Sequence, residues 1–521
     1  MMHMQPVDEA AIAVALEEGR AQIQRVALEL DDIRLDRITD PAARDRMKTF
    51  LTAHNRWRKA QLQSPQHQST PVEQDAINAA YNDFIQARER IRQLDSPDFM
   101  TPVPTLSGII RAIRTPGEAL VYLVAGSILT GTGGMCVIVT RDHEGTLRAR
   151  HVLLPRLDEM ALFDLFDIEQ GETPLVRVKE AVATLGQFGL DDVAALLLRE
   201  GIRTVRLVPY SWLGLFPLPA ALISAGNGQQ RPMSELFEEV TIEPSARSLE
   251  IAHERAGGRN QQRRALLIAG NPTPHTAGAE LPYAEAEAAT IRRIAKEHNY
   301  PAANIRYLRP GEITRERIIE ELTQARYAHL SLHGQYYAGD PRRSRLVLAG
   351  TEAIAEQERS IYLGEVLDGA INLSGMRLLV LSACETSIID MQRVPNEALG
   401  IGAGFLQSGA AAVIASLWPV NDQATFLLMT RFAQLYLDPQ GLWPPARALA
   451  AAQHWLREEA TNSTLASFDP LHVPASTIRS LRLSYTRARV AIQHEAANRG
   501  DPDALPYADP FFWAGFVVMG V

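Results

Sequence analysis

His333 and Cys384 are the residues whose types and spacing point most directly to chemistry. His333 begins the dipeptide His333-Gly334 after the apolar run 327–332, and Cys384 follows the apolar run 377–382, so that 384 − 333 = 51 residues separate them. A cysteine thiolate attacks a carbonyl carbon, while an imidazole takes the thiol proton and later protonates the leaving amine. The pair therefore predicts thiol-dependent acyl transfer.

Gly334 lies beside this pair and has a predicted role of its own. A glycine lets a substrate carbonyl approach the backbone closely, so the N–H groups of Gly334 and Cys384 form the predicted oxyanion hole. A single cysteine near a strand is most often a small core residue. We expect that role for Cys136, which lies inside the apolar run 135–140.

The elements that must position His333 and Cys384 alternate between strand and helix, which is typical of a parallel sheet with helices on its faces. Catalytic groups collect beyond the carboxyl ends of such strands, so we expect both residues at one edge of the sheet. The predicted strands are 265–269, 304–308, 327–332, 345–348, 377–382, 411–416 and 514–519. The predicted helices are 283–298, 313–325, 396–408, 422–437 and 443–459.

The chain before residue 260 divides into two further regions. Amphipathic patterns over 8–35, 41–62 and 73–95 predict an α-helical region, which either binds a partner or packs on the next domain. Short β-like runs (120–125, 135–140, 147–154, 204–209, 237–242) and helical patterns (156–168, 175–199, 246–256) predict an α/β region. We predict domains at 1–100, 101–260 and 261–521, with a helical insertion at about 462–505.

Composition excludes several classes of protein. Hydrophobic residues make up 46% and charged residues 22% of the 521 residues, which excludes a largely disordered or fibrous chain. The net charge of −9 gives no global basic field, so we expect no direct contact with nucleic acid. Two cysteines without a CxxC pair, and no HExxH or GxxxxGK[ST] motif, lead us to predict no metal and no cofactor. Without a visible signal peptide or long apolar run, we expect a cytoplasmic protein that contacts no membrane.

Four tracts carry a resemblance to a known family: AHLSLHGQ (328–335), LLVLSACETS (378–387), EALGIGAGFLQSGAAAVIASLWPVND (397–422) and FFWAGFVVMGV (511–521). They resemble the CHAT peptidase domain, a caspase- and separase-related cysteine peptidase family of clan CD. VRLVPYSWLGLFPLPAAL (205–222), VTIEPSARSLEI (240–251) and LLIAGNP (266–272) extend the resemblance to roughly 118–521. It implies that His333 is the general base and Cys384 the nucleophile. It also implies a caspase-like parallel-sheet sandwich with a degenerate N-terminal half, here preceded by an α-helical extension.

The same resemblance implies a substrate preference through Asp422. In separase-like relatives an acidic residue at this point faces the P1 side chain, and a carboxylate there favours arginine or lysine. The alternative is that Asp422 caps a helix beginning at Gln423. Trp418 is either sheet-end packing or a subsite wall, and Asp340 and Glu385 either orient His333 and shape the cleft or are simply solvated.

These features together predict a cysteine endopeptidase that cleaves a partner protein after a basic residue. The resemblance further implies a bacterial setting, such as an antiviral defence or cell-death pathway. Residues 1–100, as the contact for an activating protein, and the insertion at 462–505 are the candidate control elements. The alternative is a catalytically silent caspase-like scaffold or interaction module. A small-molecule acyl transferase is a third hypothesis, but no cofactor-binding loop accompanies it.

Overall fold

A computed structural model provides the structure of the chain. It describes residues 8–18, 38–63, 71–95, 106–127, 132–167, 175–224, 228–257, 265–270, 282–335, 337, 341–348, 356–367, 370–382, 400–441, 443–469 and 483–521. The chain forms two compact units, one of residues 25–103 and the other of residues 1–24 together with 104–521.

The smaller unit contains a helical hairpin. Helix α1 (Glu9–Glu18) belongs to the larger unit, and α2 (Pro41–Gln63) and α3 (Pro71–Leu94) form the hairpin. Phe50, Phe84 and Ile91 are buried between its helices, and the rings of the two phenylalanines lie 5.5 Å apart. The helices predicted at 41–62 and 73–95 are confirmed, whereas the second part of the one predicted at 8–35 lies outside the described residues.

The larger unit begins with an α/β half. Its elements are α4 (Leu106–Ala112), β1 (Glu118–Val124), β2 (Gly134–Arg141), β3 (Leu147–Leu154), α5 (Glu159–Phe163), β4 (Phe166–Asp167), β5 (Leu175–Val176), α6 (Val178–Thr184), α7 (Asp191–Arg199), β6 (Thr204–Pro209), β7 (Leu222–Ser224), β8 (Gln230–Pro232), α8 (Met233–Leu236), β9 (Glu239–Ile242) and α9 (Ala246–Gly257). Five strands form a sheet in the order β3-β2-β1-β6-β9. Helix α1 packs on this half, where its buried Glu17 accepts hydrogen bonds from the Tyr122 hydroxyl (3.0 Å) and the Arg247 N–H (3.2 Å).

Two predicted helices of this half are shorter than expected. The prediction at 156–168 contains only α5, because the chain then enters the β4–β5 hairpin. The prediction at 175–199 is interrupted by a π-helical turn at Gly186–Leu190, where Gly189 has a φ of 119°. The stretch Val178–Arg199 has the length and apolar content of a membrane-spanning helix, but that is weak evidence because core helices share these properties. Many of its side chains are buried against the sheet.

The second half of the larger unit contains the predicted parallel sheet with helices on its faces. Its elements are β10 (Ala265–Gly270), α10 (Pro282–Glu297), β11 (Ile305–Leu308), α11 (Arg315–Gln324), β12 (Ala325–Ser331), β13 (His333–Gln335), β14 (Arg345–Val347), β15 (Ser360–Tyr362), α12 (Leu363–Leu367), β16 (Leu378–Leu381), α13 (Ile401–Gln407), β17 (Ala412–Ser416), α14 (Asp422–Tyr436), α15 (Pro445–Glu458), α16 (Asn462–Ala466), α17 (Leu483–Asn498), α18 (Pro510–Trp513) and β18 (Phe516–Gly520). Six strands form the sheet in the order β11-β10-β12-β16-β17-β18. The first five are parallel, and β18 pairs antiparallel with β17.

The strand predicted at 345–348 was wrongly assigned to this parallel sheet. Arg345–Val347 instead lies in a separate antiparallel sheet of order β13-β14-β15. Only nine residues separate Gln335 from Arg345, fewer than the dozen or more that a crossover between parallel strands requires. The chain therefore folds back on itself after β13, the short strand that begins at His333.

A buried charged network lies where the two halves of the larger unit meet, because β9 of the first packs beside β18 of the second. The Arg206 guanidinium lies 2.9 Å from Glu118 and 3.3 Å from Glu239. Glu243 is fully buried and accepts hydrogen bonds from the Thr241 hydroxyl (2.5 Å) and from the Gly520 N–H (3.1 Å).

Candidate active site

The strands that end before His333 and Cys384 are neighbours in the sheet. Leu330 of β12 and Leu381 of β16 are register partners in a parallel pair, and the Ser382 N–H donates to the Leu330 carbonyl oxygen at 2.9 Å. His333 and Cys384 each follow their register partner by three residues. Cys384 itself lies outside the described residues, as do Asp340 and Glu385, so the distance between His333 and Cys384 stays a prediction.

His333 and Gly334 occupy the first strand of the small antiparallel sheet. His333 is half-buried and pairs with Val347, while Gly334 pairs with Leu346. The Leu348 N–H donates to Arg359 and the Leu363 N–H to Ser344, so the even-numbered residues of β14 are hydrogen-bonded toward β15. Since hydrogen bonding alternates along an antiparallel strand, the Gly334 N–H points away from β14. That orientation is compatible with the predicted oxyanion hole.

Asp422 is the first residue of α14, which follows β17, the next strand along from β16. The predicted alternative, in which Asp422 caps a helix beginning at Gln423, is wrong. The cap is Asn421, whose side chain accepts a hydrogen bond from the Ala424 N–H at 2.9 Å. Asp422 instead accepts a hydrogen bond through Oδ2 from the backbone N–H of Tyr283, at 3.0 Å. Its carboxylate therefore joins the start of α14 to the first turn of α10.

The surroundings of Asp422 make its charged form less favourable than that of a carboxyl group in water. Burial raises its pKa, the hydrogen bond from Tyr283 opposes that shift, and the negative charge of Glu287 adds to it, so that the pKa rises from 3.8 to about 6. A cation bound against this carboxylate would stabilise its charged form and so oppose both effects. The site can therefore select for positive charge.

Trp418 fills the end of the sheet. Its side chain is buried, packs beside Gly515 and donates from Nε1 to the Phe511 carbonyl oxygen at 3.2 Å. These contacts account for Trp418 as sheet-end packing. Cys136 is fully buried in β2, where burial raises the pKa of its thiol far above the ordinary value, as expected for a core cysteine.

Sequence reasoning missed a buried pair next to these residues. His329 Nε2 lies 2.6 Å from Glu287 Oε1, with both side chains almost inaccessible to solvent, and the Tyr327 hydroxyl lies 3.4 Å from His329 Nδ1. The polar residues Tyr327, His329 and Ser331 alternate with apolar ones along β12, which was the available signal. Their partner Glu287 comes from another element, and no local pattern identifies it.

Glu495 also approaches this region from the predicted insertion. It lies on α17, which packs against α10, and it accepts a hydrogen bond from Gln423 at 3.1 Å. The charges of Glu495 and Asp422 both raise the pKa of the Tyr283 phenol, after burial as the largest cause. The insertion therefore reaches the surroundings of Asp422.

A family model described as the CHAT domain matches residues 179–521, which is more than half of the chain. The chain belongs to the CHAT domain family. No curated protein sequence matches this CHAT domain protein at a significant level. Within the described residues, no group of three or more His, Cys, Asp and Glu side chains could hold a metal ion.

Solved structures that are distantly similar to this chain include gingipain structures and a separase complex. The complex of Porphyromonas gingivalis RgpB pro- and mature domains is 14% identical, with a TM-score of 0.35 over 67% of this chain and 73% of the other. A structure described as the Arg-specific cysteine proteinase gingipain R is 12% identical, with a TM-score of 0.36 over 66% of this chain and 69% of the other. The Saccharomyces cerevisiae separase–securin complex is 8% identical, with a TM-score of 0.42 over 96% of this chain and 37% of the other.

Proposed function

We propose that this CHAT domain protein is a cysteine endopeptidase that cleaves a partner protein after arginine or lysine. The observation that supports the proposal is the pairing of β12 with β16 as neighbouring parallel strands, because His333 and Cys384 each come three residues after the register partners Leu330 and Leu381 in the sequence. Catalytic groups collect beyond the carboxyl ends of parallel strands. A base and a nucleophile that follow neighbouring strands in this way could act on one peptide bond.

In the proposed reaction, His333 takes the proton of the Cys384 thiol, and the sulfur attacks the carbonyl carbon of the P1 residue. The tetrahedral oxyanion is held by the N–H groups of Gly334 and Cys384. His333 then donates its proton to the leaving amine as the carbon–nitrogen bond breaks, which leaves an acyl-enzyme. Water, deprotonated by His333, hydrolyses the thioester and restores the thiol.

Asp422 supplies the proposed specificity for a basic P1 side chain. Arginine presents a planar fork of N–H donors that a carboxylate binds bidentately, whereas an acidic side chain would meet a like charge. A partly desolvated carboxylate increases this difference, because its attraction for a cation is less screened there than in water.

Reporter peptides with Arg, Lys or Asp at P1 test the function directly. We expect cleavage of the Arg and Lys peptides, and its loss in Cys384→Ala and in His333→Ala. His143→Ala, in the exposed turn between β2 and β3, is the matched control and should cleave as the wild type does. Cleavage that persists in Cys384→Ala would remove this thiol from the mechanism, and no cleavage by any form would favour the silent-scaffold alternative.

The proposed substrate is a protein, and the proposed contact for an activating protein lies in the N-terminal region. Within that region, residues 25–103 form a compact unit of their own, which gives a partner a separate surface to bind. The Cys384→Ala variant, expressed in the parent cells as a substrate trap, should retain a bound protein in a pull-down. The double variant His333→Ala/Asp422→Asn should not retain that protein. The cytoplasmic, bacterial defence setting belongs to the same proposal, and the identity of the trapped protein tests it.

A further inference from the structure

Glu287 and His329 form a pair of ionisable side chains that is buried in the fold. Its atoms are 2.6 Å apart, and the two side chains are 2% and 0% exposed. Moving a carboxylate out of water is costly, and apolar residues of similar size often stabilise a fold as well as a buried ionisable pair does. Folding alone therefore gives little reason for these two residue types at this place.

The pair connects the two proposed functional residues through short pieces of rigid structure. His329 lies on β12, the strand that ends two residues before His333 begins β13. Glu287 follows Tyr283 by four residues on α10, which is one turn along the same helix face. The N–H of Tyr283 is the group that holds Asp422.

We propose that Glu287 and His329 form a positioning pair for the P1 site, fixing α10 to β12, the strand that precedes the general base, so that the Asp422 carboxylate is held in place for a basic P1 side chain. This inference rests on the proposed function, because it assigns the pair to the P1 carboxylate of that same site. Through its contact with His329, Glu287 fixes the position of α10. Through its own negative charge, Glu287 raises the pKa of Asp422.

Titratable groups on four elements surround Glu287 and Asp422. They are Tyr283 on α10, Tyr327 and His329 on β12, Tyr436 on α14 against the Tyr327 ring, and Glu495 on α17. Burial is the largest cause that raises the pKa of Asp422, and the charge of Glu287 raises it further. Removing that charge should lower the pKa of Asp422 and also weaken the local attraction for a cation.

Agmatine, a small guanidinium cation, probes this site without requiring cleavage. With the full chain, calorimetry should show affinity for agmatine that increases as pH rises through about 6, and Asp422→Asn should abolish it. In Glu287→Gln and Glu287→Met, we expect the midpoint to move to lower pH by at least about half a unit. At pH 8 we expect binding to weaken roughly two- to five-fold, because one negative charge near the cation is lost.

Glu285→Gln is the matched control, since it removes a carboxylate from the same helix two residues away. It should change neither the pH midpoint of agmatine binding nor the affinity at pH 8. An unchanged midpoint in a folded Glu287 variant would overturn the proposal. Failure of both Glu287 variants to fold would assign the pair to stability and would overturn it as well, and so would absence of agmatine binding to the wild type at pH 8. Asp422-dependent binding of agmatine without cleavage of Arg peptides would instead reject the proposed function and leave the positioning pair standing.

Discussion

Asp422, the first residue of α14, accepts a hydrogen bond from the backbone N–H of Tyr283, in the first turn of α10, at 3.0 Å. The contact combines two favourable effects, because the N-terminus of a helix carries a partial positive charge and unsatisfied N–H groups. It holds the carboxylate in place without neutralising it. The proposed preference for a basic P1 residue depends on this arrangement.

Asp422→Asn should separate substrate selection from stability. Asparagine keeps an acceptor for the Tyr283 N–H but lacks the charge, so cleavage of Arg peptides should fall roughly 10- to 100-fold. The pKa of Asp422 is raised in the folded chain from 3.8 to about 6, so its ionisation near neutral pH costs folding free energy. The variant should therefore be more stable than the wild type at pH 7 by on the order of 1 kcal/mol, and equal to it below about pH 4. Urea unfolding at both pH values measures this difference.

The helix cap next to Asp422 can be tested by itself. Asn421→Ala removes the acceptor for the Ala424 N–H, which should cost about 1 kcal/mol of stability and loosen the first turn that carries Asp422. We expect KM for Arg peptides to rise several-fold. Thr461→Ala is the matched control, because Thr461 caps α16 in the same way. It should lose similar stability without a change in KM, and an equal change in KM for both variants would contradict the prediction.

Glu243 gives a pH dependence to the stability of the contact between the two halves. Burial raises its pKa, the charge of Arg206 and the hydrogen bonds from Thr241 and Gly520 oppose that rise, and the net pKa is about 8 against an ordinary value of 4.5. The folded chain thus keeps a proton that the unfolded chain releases. The resulting stabilisation is complete below about pH 4.5 and is lost as pH rises to about 8.

Glu243→Gln should remove that loss. We expect the variant to exceed the wild type in unfolding free energy at pH 8 by about 1–3 kcal/mol, with the difference shrinking toward pH 5. Guanidinium unfolding at several pH values measures it. Glu238→Gln, an exposed neighbour paired with Arg203, is the matched control and should leave the pH dependence unchanged. A constant difference between Glu243→Gln and the wild type across this range would contradict the prediction.

The strands of the six-stranded sheet could be predicted from sequence because their side chains are buried on both faces. Arg377–Ser382 is such a continuous apolar run, and the structure has a strand at Leu378–Leu381. The strand at Arg345–Val347 was wrongly placed because a short apolar run carries no information about its partner. The helix over 175–199 was predicted as continuous because the positive φ of Gly189 leaves no periodic signal.

The candidate site also contains residues that the sequence predicts and contacts that it does not. His333 and Cys384 are recognisable because each follows a strand and because the surrounding tracts resemble a family. The contacts of Asp422 with Tyr283, and of Glu287 with His329, join residues 139 and 42 positions apart, which no local pattern reveals. Asn421 rather than Asp422 became the helix cap because the helix begins one residue earlier than the sequence suggested.

In the proposed mechanism, His333 activates Cys384 beside a pocket for a basic side chain. Mass spectrometry after treatment with an arginyl chloromethyl ketone tests it most directly, and the buried Cys136 serves as an internal control in every sample. We expect a single adduct on Cys384 in the wild type, with labelling at least about tenfold slower in His333→Ala and in Asp422→Asn. Labelling of Cys384 at equal rates in all three proteins, or no adduct on Cys384 in the wild type, would contradict it.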